Sequence, residues 1–246
     1  PIRANAPKTF AYFAKQGVQV KVISGDDPRA VSRVAAQAGI AGAENWVDAS
    51  RLQNDRELAS AAAQATVFGR VTPEQKRKLV HALQAQHHTV AMTGDGVNDV
   101  LALKDADCGI AMASGAQAAA QVAQLVLLDS DFGALPAVVG EGRRVINNIQ
   151  RSASLFLVKN IFSLLLSVVA LCLPLAYPFK PLQLSLVSSV TIGIPSFILA
   201  LEPNRELVRG RFLRNVLRAA LPGGLTDFLL VFCAMGFGFA FDLPAD

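Results

Sequence analysis

The sequence predicts an α/β domain built on a parallel sheet, followed by an all-α region of transmembrane helices. Strand-like and helix-like segments alternate from Pro1 to about Arg144, the pattern of a sheet covered by helices. From Leu155 onward the chain consists largely of apolar stretches long enough to cross a bilayer. Overall it is 52% hydrophobic, and its mean hydropathy of +0.38 is too apolar for an ordinary soluble enzyme.

In the first part, Val18–Ser24 reads as a buried strand. Asp26-Asp27-Pro28 then supplies the cap and first turn of a helix that runs through Ala38 and stops at Gly39. The same grammar recurs. Thr66–Val71 is a strand followed by a helix from Pro73, and Thr89–Thr93 is a strand followed by a glycine turn and a helix from about Asn98. Cys108–Met112 and Leu125–Leu128 complete the set as short strands, while the segment from Glu44 to Glu57 reads as a surface excursion. The expected domains are residues 1–143 and 144–246, with spans at about 155–174, 182–201 and 225–241. The connection from Leu175 to Pro181 carries one cation, Lys180, whereas that from Glu202 to Gly224 carries five arginines. The positive-inside rule therefore puts the arginine-rich connection, and the α/β domain with it, in the cytoplasm.

Charge and cysteine content exclude other classes. The net charge of +4 comes largely from residues flanking the apolar stretches, such as Arg143, Arg144, Arg151 and Arg205–Arg218, rather than from one basic patch, so no nucleic-acid partner is expected. Cys108, Cys172 and Cys233 lie far apart without CxxC spacing, which indicates neither a zinc site nor a disulfide frame. His87-His88 falls between a helix and a strand and reads as a solvated turn. The chain opens on Pro1 in what reads as the middle of a domain, and is expected to be a fragment.

In parallel α/β folds, ligands bind beyond the carboxyl ends of the strands. Three such ends carry polar loops: Ser24-Gly25-Asp26, Arg70-Val71-Thr72-Pro73 and Thr93-Gly94-Asp95. Asp95 and Asp99 stand four positions apart in a glycine turn, so a strand end and a helix start can each present a carboxylate. That donor set suits Mg²⁺, which takes one or two carboxylates and keeps its remaining shell for water and phosphate. Asn98 and the following helix start add donors for an anion. Lys76, early in a helix, is placed to reach a phosphoryl group, and Ser24 with Gly25 offers a hydroxyl and an amide.

The order Ser24-Gly25-Asp26-Asp27-Pro28, Val71-Thr72-Pro73-Glu74-Gln75-Lys76 and Met92-Thr93-Gly94-Asp95-Gly96-Val97-Asn98-Asp99 resembles the phosphorylation domain of P-type ATPases, in the haloacid-dehalogenase-like (HAD-like) superfamily. The likeness extends through Gly109-Ile110-Ala111-Met112 and on to Asn147-Asn148-Ile149. It implies a Rossmann-like α/β HAD fold, with ATP as the substrate of the parent protein and Mg²⁺ as cofactor. Ser24, Gly25, Asp26, Lys76 and Asn98 would surround the phosphoryl group, Lys76 would neutralise its charge, and Asp95 with Asp99 would hold the metal. The family's Asp-Lys-Thr-Gly-Thr nucleophile motif occurs nowhere in the chain, and neither does its nucleotide-binding domain. The α/β domain is thus expected to be incomplete, with neighbouring strands left unpartnered, and the chain alone is expected to be inactive. The missing N-terminal part of the same pump, the transported cation and the lipid bilayer are the partners implied, in a bacterial cell membrane.

For the ion, the resemblance implies a path through Asn160, Ser163, Ser188 and Thr191. Calcium is the leading expectation, although Ser163 and Ile192 stand where calcium pumps carry carboxylates, and Ser188 replaces an asparagine. Gly193 and Pro195 can unwind the second span and free carbonyl oxygens. Lys159 is expected to snorkel to the cytoplasmic interface. A membrane-anchored phosphatase of the same superfamily and a non-catalytic truncated pump are the competing readings. The first would need an Asp-x-Asp motif ahead of Lys76, which the sequence lacks.

Overall fold

A computed structural model describes residues 2–173 and 177–241. The expected end of the first span at Pro174, and Leu175 in the connection after it, lie outside the described residues. The chain divides into two units, Pro1–Ala137 and Val138–Asp246.

Six short strands form two parallel sheets in the first unit. β1 (Val22–Ile23), β2 (Trp46–Asp48) and β3 (Val67–Gly69) assemble in the order β1-β3-β2, with Val22 opposite Val67 and Trp46 also opposite Val67. β4 (Ala91–Gly94), β5 (Cys108–Met112) and β6 (Leu125–Leu127) assemble in the order β4-β5-β6, with Gly94 opposite Ala111. Among the described residues β1 pairs only with β3, and β4 only with β5, so the strands leading into Ser24 and Asp95 are both sheet edges. β1 is far shorter than the Val18–Ser24 run because its one described neighbour, β3, is itself only three residues long, and a strand persists only where a neighbour takes its amides and carbonyls.

The helices start where the sequence supplies caps. In α2 (Pro28–Gln37) the Asp27 carboxylate accepts from the amides of Arg29 and Ala30, and Gly39 at φ +81° lets the chain turn away after it. In α4 (Pro73–Ala85) Thr72 and Gln75 form a reciprocal capping box with Pro73 in the first turn. The segment read as a surface excursion is instead structural. Trp46–Asp48 is β2, and α3 (Asp55–Gln64), capped by Asn54 and preceded by α1 (Ala6–Lys15), sends Leu58 and Ala62 into the core. Its polar, Asn- and Asp-rich composition belongs to caps and a solvent face, which masks a three-residue strand and the start of a helix.

Of the four apolar clusters among the described residues, two flank α4. Ala49, Leu58, Ala62, Phe68 and Leu79 fill the first, while Val80, Met92, Ala102, Leu103 and Ala111 fill the second. Burying a side chain such as Phe68 or Leu79 contributes about 1.5–3 kcal/mol. Leu79 and Val80 are adjacent on α4, so this helix joins the two cores, and α5 (Val100–Asp105) and α6 (Gln117–Val122) cover the second sheet.

The second unit is helical. α7 (Leu135–Cys172) is one continuous helix of 38 residues, so the first span and the segment leading into it are not separate elements. The second span comprises α8 (Pro181–Ser188), a π-helical turn at Ser189–Gly193 and α9 (Ile194–Leu201). α10 (Phe212–Ala240) begins well before the expected start at 225, because its first turns are amphipathic and arginine-bearing rather than apolar. All three are long and apolar enough to cross a membrane. Asn147 and Asn148 of α7 hold the connection between α9 and α10, donating to the Glu206 and Glu202 carbonyls at 3.0 and 3.2 Å, and Arg144 donates to the Ala200 carbonyl at 2.9 Å.

Candidate active site and ion path

The polar loops at the strand ends are tied together by backbone and side-chain bonds. After β1, the Ser24 hydroxyl donates to the Asp26 carboxylate and accepts from the Asp26 amide, both at 3.1 Å, which closes a tight turn and leaves Gly25 in open space. The Ser24 carbonyl accepts from Val71, and the Asp26 carbonyl from Arg70. Arg70 sits at φ +53°, and its guanidinium reaches Asp48 at 2.8 Å and Asp27 at 2.9 Å. Thus one cation clamps the ends of all three strands of the first sheet. The Ser50 hydroxyl and then Arg70 hold the Asp48 carboxyl below the usual carboxylate range.

Thr72 follows directly and caps α4, which places Lys76 one turn in. Its ammonium lies 2.7 Å from Asp99 Oδ1, and both side chains are largely buried, at 13% and 10% exposure. Asp99 Oδ2 accepts from the Gly96 amide at 3.2 Å. Both oxygens of Asp99 are therefore engaged within the protein. Asp95 differs: its side chain is exposed and has no hydrogen-bond or ion-pair partner among the described residues, as is also true of Asn98.

Two glycines make this geometry possible. A Cβ on Gly94 would lie 2.6 Å from Asp99 Cβ and 2.8 Å from its Cγ, and one on Gly115 would collide with the Asp95 carbonyl. That carbonyl accepts from the Ala116 amide at 2.7 Å, fixing the Asp95 turn from behind. Gly115 and the Arg70 clamp had no sequence signal beyond a glycine in a turn and an arginine after a strand. A continuous chain of contacts runs from Ser24 through Val71, Thr72 and Lys76 to Asp99, and the sequence places Asp95 four residues before Asp99.

No group of three or more His, Cys, Asp or Glu side chains converges on one point among the described residues. A dedicated all-protein metal cage is absent there, and the donor chemistry matches Mg²⁺: one open carboxylate, Asp95, with a second, Asp99, held beside a lysine.

In the second unit, the hydroxyls of Ser188 and Thr191 donate to the carbonyls four residues back, Leu184 at 2.5 Å and Val187 at 2.7 Å. Each keeps its oxygen lone pairs. Thr191 falls in the π-helical turn, and Pro195 offers no N–H to the carbonyls one turn earlier. Ser163 shares a hydrogen bond with Tyr177 at 2.9 Å, Asn160 is exposed, and Ile192 is buried at 4% exposure.

Residues 1–107 match the family model of haloacid dehalogenase-like hydrolases. The calcium-transporting ATPase CtpE of Mycolicibacterium smegmatis is 52% identical over 235 residues, covering 91% of this chain and 30% of that protein. The probable cation-transporting ATPase exp7 of Streptococcus pneumoniae is 43% identical over 246 residues, covering 97% of this chain and 32% of the relative. The chain thus spans about three-tenths of the length of these relatives. A crystal structure of a zinc-transporting PIB-type ATPase in its E2.Pi state superposes with a TM-score of 0.59 at 23% identity, over 89% of this chain and 28% of that one, and shares the fold. With the HAD-like strand-end loops and the apolar helices together inside one alignment at 52% identity, the chain belongs to the cation-transporting P-type ATPase family.

Proposed function

We propose that this chain is part of an ATP-driven calcium pump that works through an aspartyl-phosphate intermediate, contributing the Mg²⁺-binding end of the phosphorylation site and the first membrane helices after it. The observation that carries the reading is the Lys76–Asp99 pair beside an open Asp95. Lys76 offsets charge on a phosphoryl group, Asp95 is the carboxylate for Mg²⁺, and Asp99 orients the lysine through its 2.7 Å contact. Ser24 and the Gly25 amide bind phosphoryl oxygens at the end of β1, with Asp26 holding the Ser24 hydroxyl and Asn98 adding an amide donor. Bound there, Mg²⁺ would supply charge neutralisation during phosphoryl transfer.

Two features support a partner strand from elsewhere in the same pump. Among the described residues β1 and β4 each lack a neighbour on one side, and parallel strands are ordinarily buried on both. The absent Asp-Lys-Thr-Gly-Thr segment is the expected occupant, bringing the acceptor aspartate next to Ser24 and Asp95. On the membrane side, Asn160, Ser163, Ser188 and Thr191 provide neutral oxygens for the ion, and calcium is the reading favoured by the mycobacterial relatives' name.

The test is phosphorylation. Full-length protein given labelled ATP, Mg²⁺ and Ca²⁺ is expected to form an acid-stable phosphoprotein, and the isolated 246-residue chain none. A labelled isolated chain, or full-length labelling indifferent to every cation, overturns the reading.

A further inference from the structure

Asp227 is the one acidic residue in the apolar core of the three spans among the described residues, and the ion path read from the sequence did not include it. It lies near the middle of α10, 13 residues before the helix ends at Ala240 and nine after Arg218. At 1.5 Å per residue it stands roughly 13 Å beyond the last arginine, deep in the hydrocarbon layer. A carboxylate at that depth is costly and marks a functional position.

Its place on the helix is specific. Val216, Ala220 and Gly224 are the buried residues of α10, and with Gly223 they form one stripe at helical spacing. A Cβ on Gly223 would lie 3.1 Å from Val158, and one on Gly224 would lie 2.7 Å from Ile161, so this stripe is pressed against α7. Asp227 continues the stripe at the next turn. Gly224 is level with Val158 and Ile161, so three residues further, about 4.5 Å, puts Asp227 level with Phe162 and Ser163. Yet Asp227 is exposed and has no hydrogen-bond or ion-pair partner among the described residues, so the carboxylate stands in space that α7 does not fill.

We propose that Asp227 is an anionic oxygen ligand of the transported divalent cation, a role that rests on the pump reading above. The neutral oxygens of Ser163, Ser188 and Thr191 supply no charge. A hard divalent cation stripped of water needs carboxylate oxygen. Asp227 provides it from a different helix, in the same layer of the bilayer as Ser163.

The experiment uses the full-length pump in membranes, comparing wild type with Asp227→Asn and Asp227→Glu. Two readouts are taken: Ca²⁺-activated phosphorylation by ATP, and phosphorylation by inorganic phosphate without Ca²⁺, which needs the phosphorylation site but no transported ion. Asp227→Asn is expected to raise half-saturating Ca²⁺ at least tenfold while keeping phosphorylation by inorganic phosphate, with Asp227→Glu in between. Unchanged half-saturation in Asp227→Asn overturns the proposal, as does an equal loss of both routes with unchanged half-saturation, which marks a packing role. If Asp227→Asn fails to accumulate, Asp227→Glu decides: an altered Ca²⁺ dependence supports the ligand, and a wild-type dependence overturns it. A wild-type protein that no divalent cation activates fails the pump reading itself, a separate outcome.

Discussion

The two units handle polar groups in opposite ways. In Pro1–Ala137, side chains reach across long stretches of sequence: Lys76 to Asp99, Arg70 to Asp27 and Asp48, Lys21 to the Ala65 carbonyl. In the apolar spans of the second unit, hydroxyls turn back on their own helix, as Ser167, Ser185, Ser188, Ser189, Thr191 and Thr226 all do to the carbonyl four residues earlier. Water surrounds the first unit and can satisfy a loop until it finds a distant partner. Hydrocarbon cannot, so these hydroxyls take the nearest carbonyl, while Ser163 finds Tyr177 just beyond the end of the first span. The geometry of the strand-end loops in the first unit therefore depends on tertiary contacts, whereas the proposed ion path depends on helix irregularities such as the π turn.

The sharpest way to break the first arrangement is at Lys76. Lys76→Ala leaves Asp99 buried without its counter-charge, at a cost of about 3 kcal/mol. ATPase activity of the full-length protein is expected to fall at least a hundredfold, and an active variant would remove Lys76 from the site. Next comes Gly94→Ala, whose Cβ must displace Asp99 from 2.6 Å. Overpacking of this kind costs about 1–3 kcal/mol. Phosphoprotein formation should drop more than tenfold, while Gly25→Ala, in open space, should change it far less.

In the second unit the corresponding close approach is Gly224 against Ile161. Gly224→Leu is expected to separate α7 from α10 and lower the thermal midpoint of the detergent-solubilised protein by several degrees, with Gly236→Leu, in open space, near wild type. The smallest effect concerns pH. The Arg77 side chain, and then His81, hold the Asp105 carboxyl below its ordinary value. A depressed carboxylate stabilises the fold above its unfolded pKa of about 3.9, and that stability is lost as pH falls through the lower folded value. Asp105→Asn should therefore flatten the acid limb of a stability-against-pH curve below about pH 4 and leave neutral-pH activity unchanged.

Much of this is legible in the sequence. Caps at Asp27 and Thr72, the glycine turn around Asp95 and the three apolar stretches are local signals, each set by residues within one or two turns of one another. The region from Glu44 to Glu57 carries no strand signal because β2 is three residues long and its partner β3 is about twenty residues away, so no local period marks it. Asp227 gives little sequence signal because one carboxylate hardly changes the hydropathy of a 29-residue helix.

By itself, the sequence determined the alternation of elements, the strand-end loops with their site residue types, and the number of spans, because these follow from spacing, caps and apolar length. Only the tertiary structure decided that Lys76 pairs with Asp99 while Asp95 stays open, that one arginine clamps three loops, that β1 and β4 are both edges, and that Asp227 shares a face with Gly223 and Gly224. The physical reason is range. Caps and periodicity act over a few residues, whereas an ion pair or sheet edge depends on segments that meet only after their cores are packed.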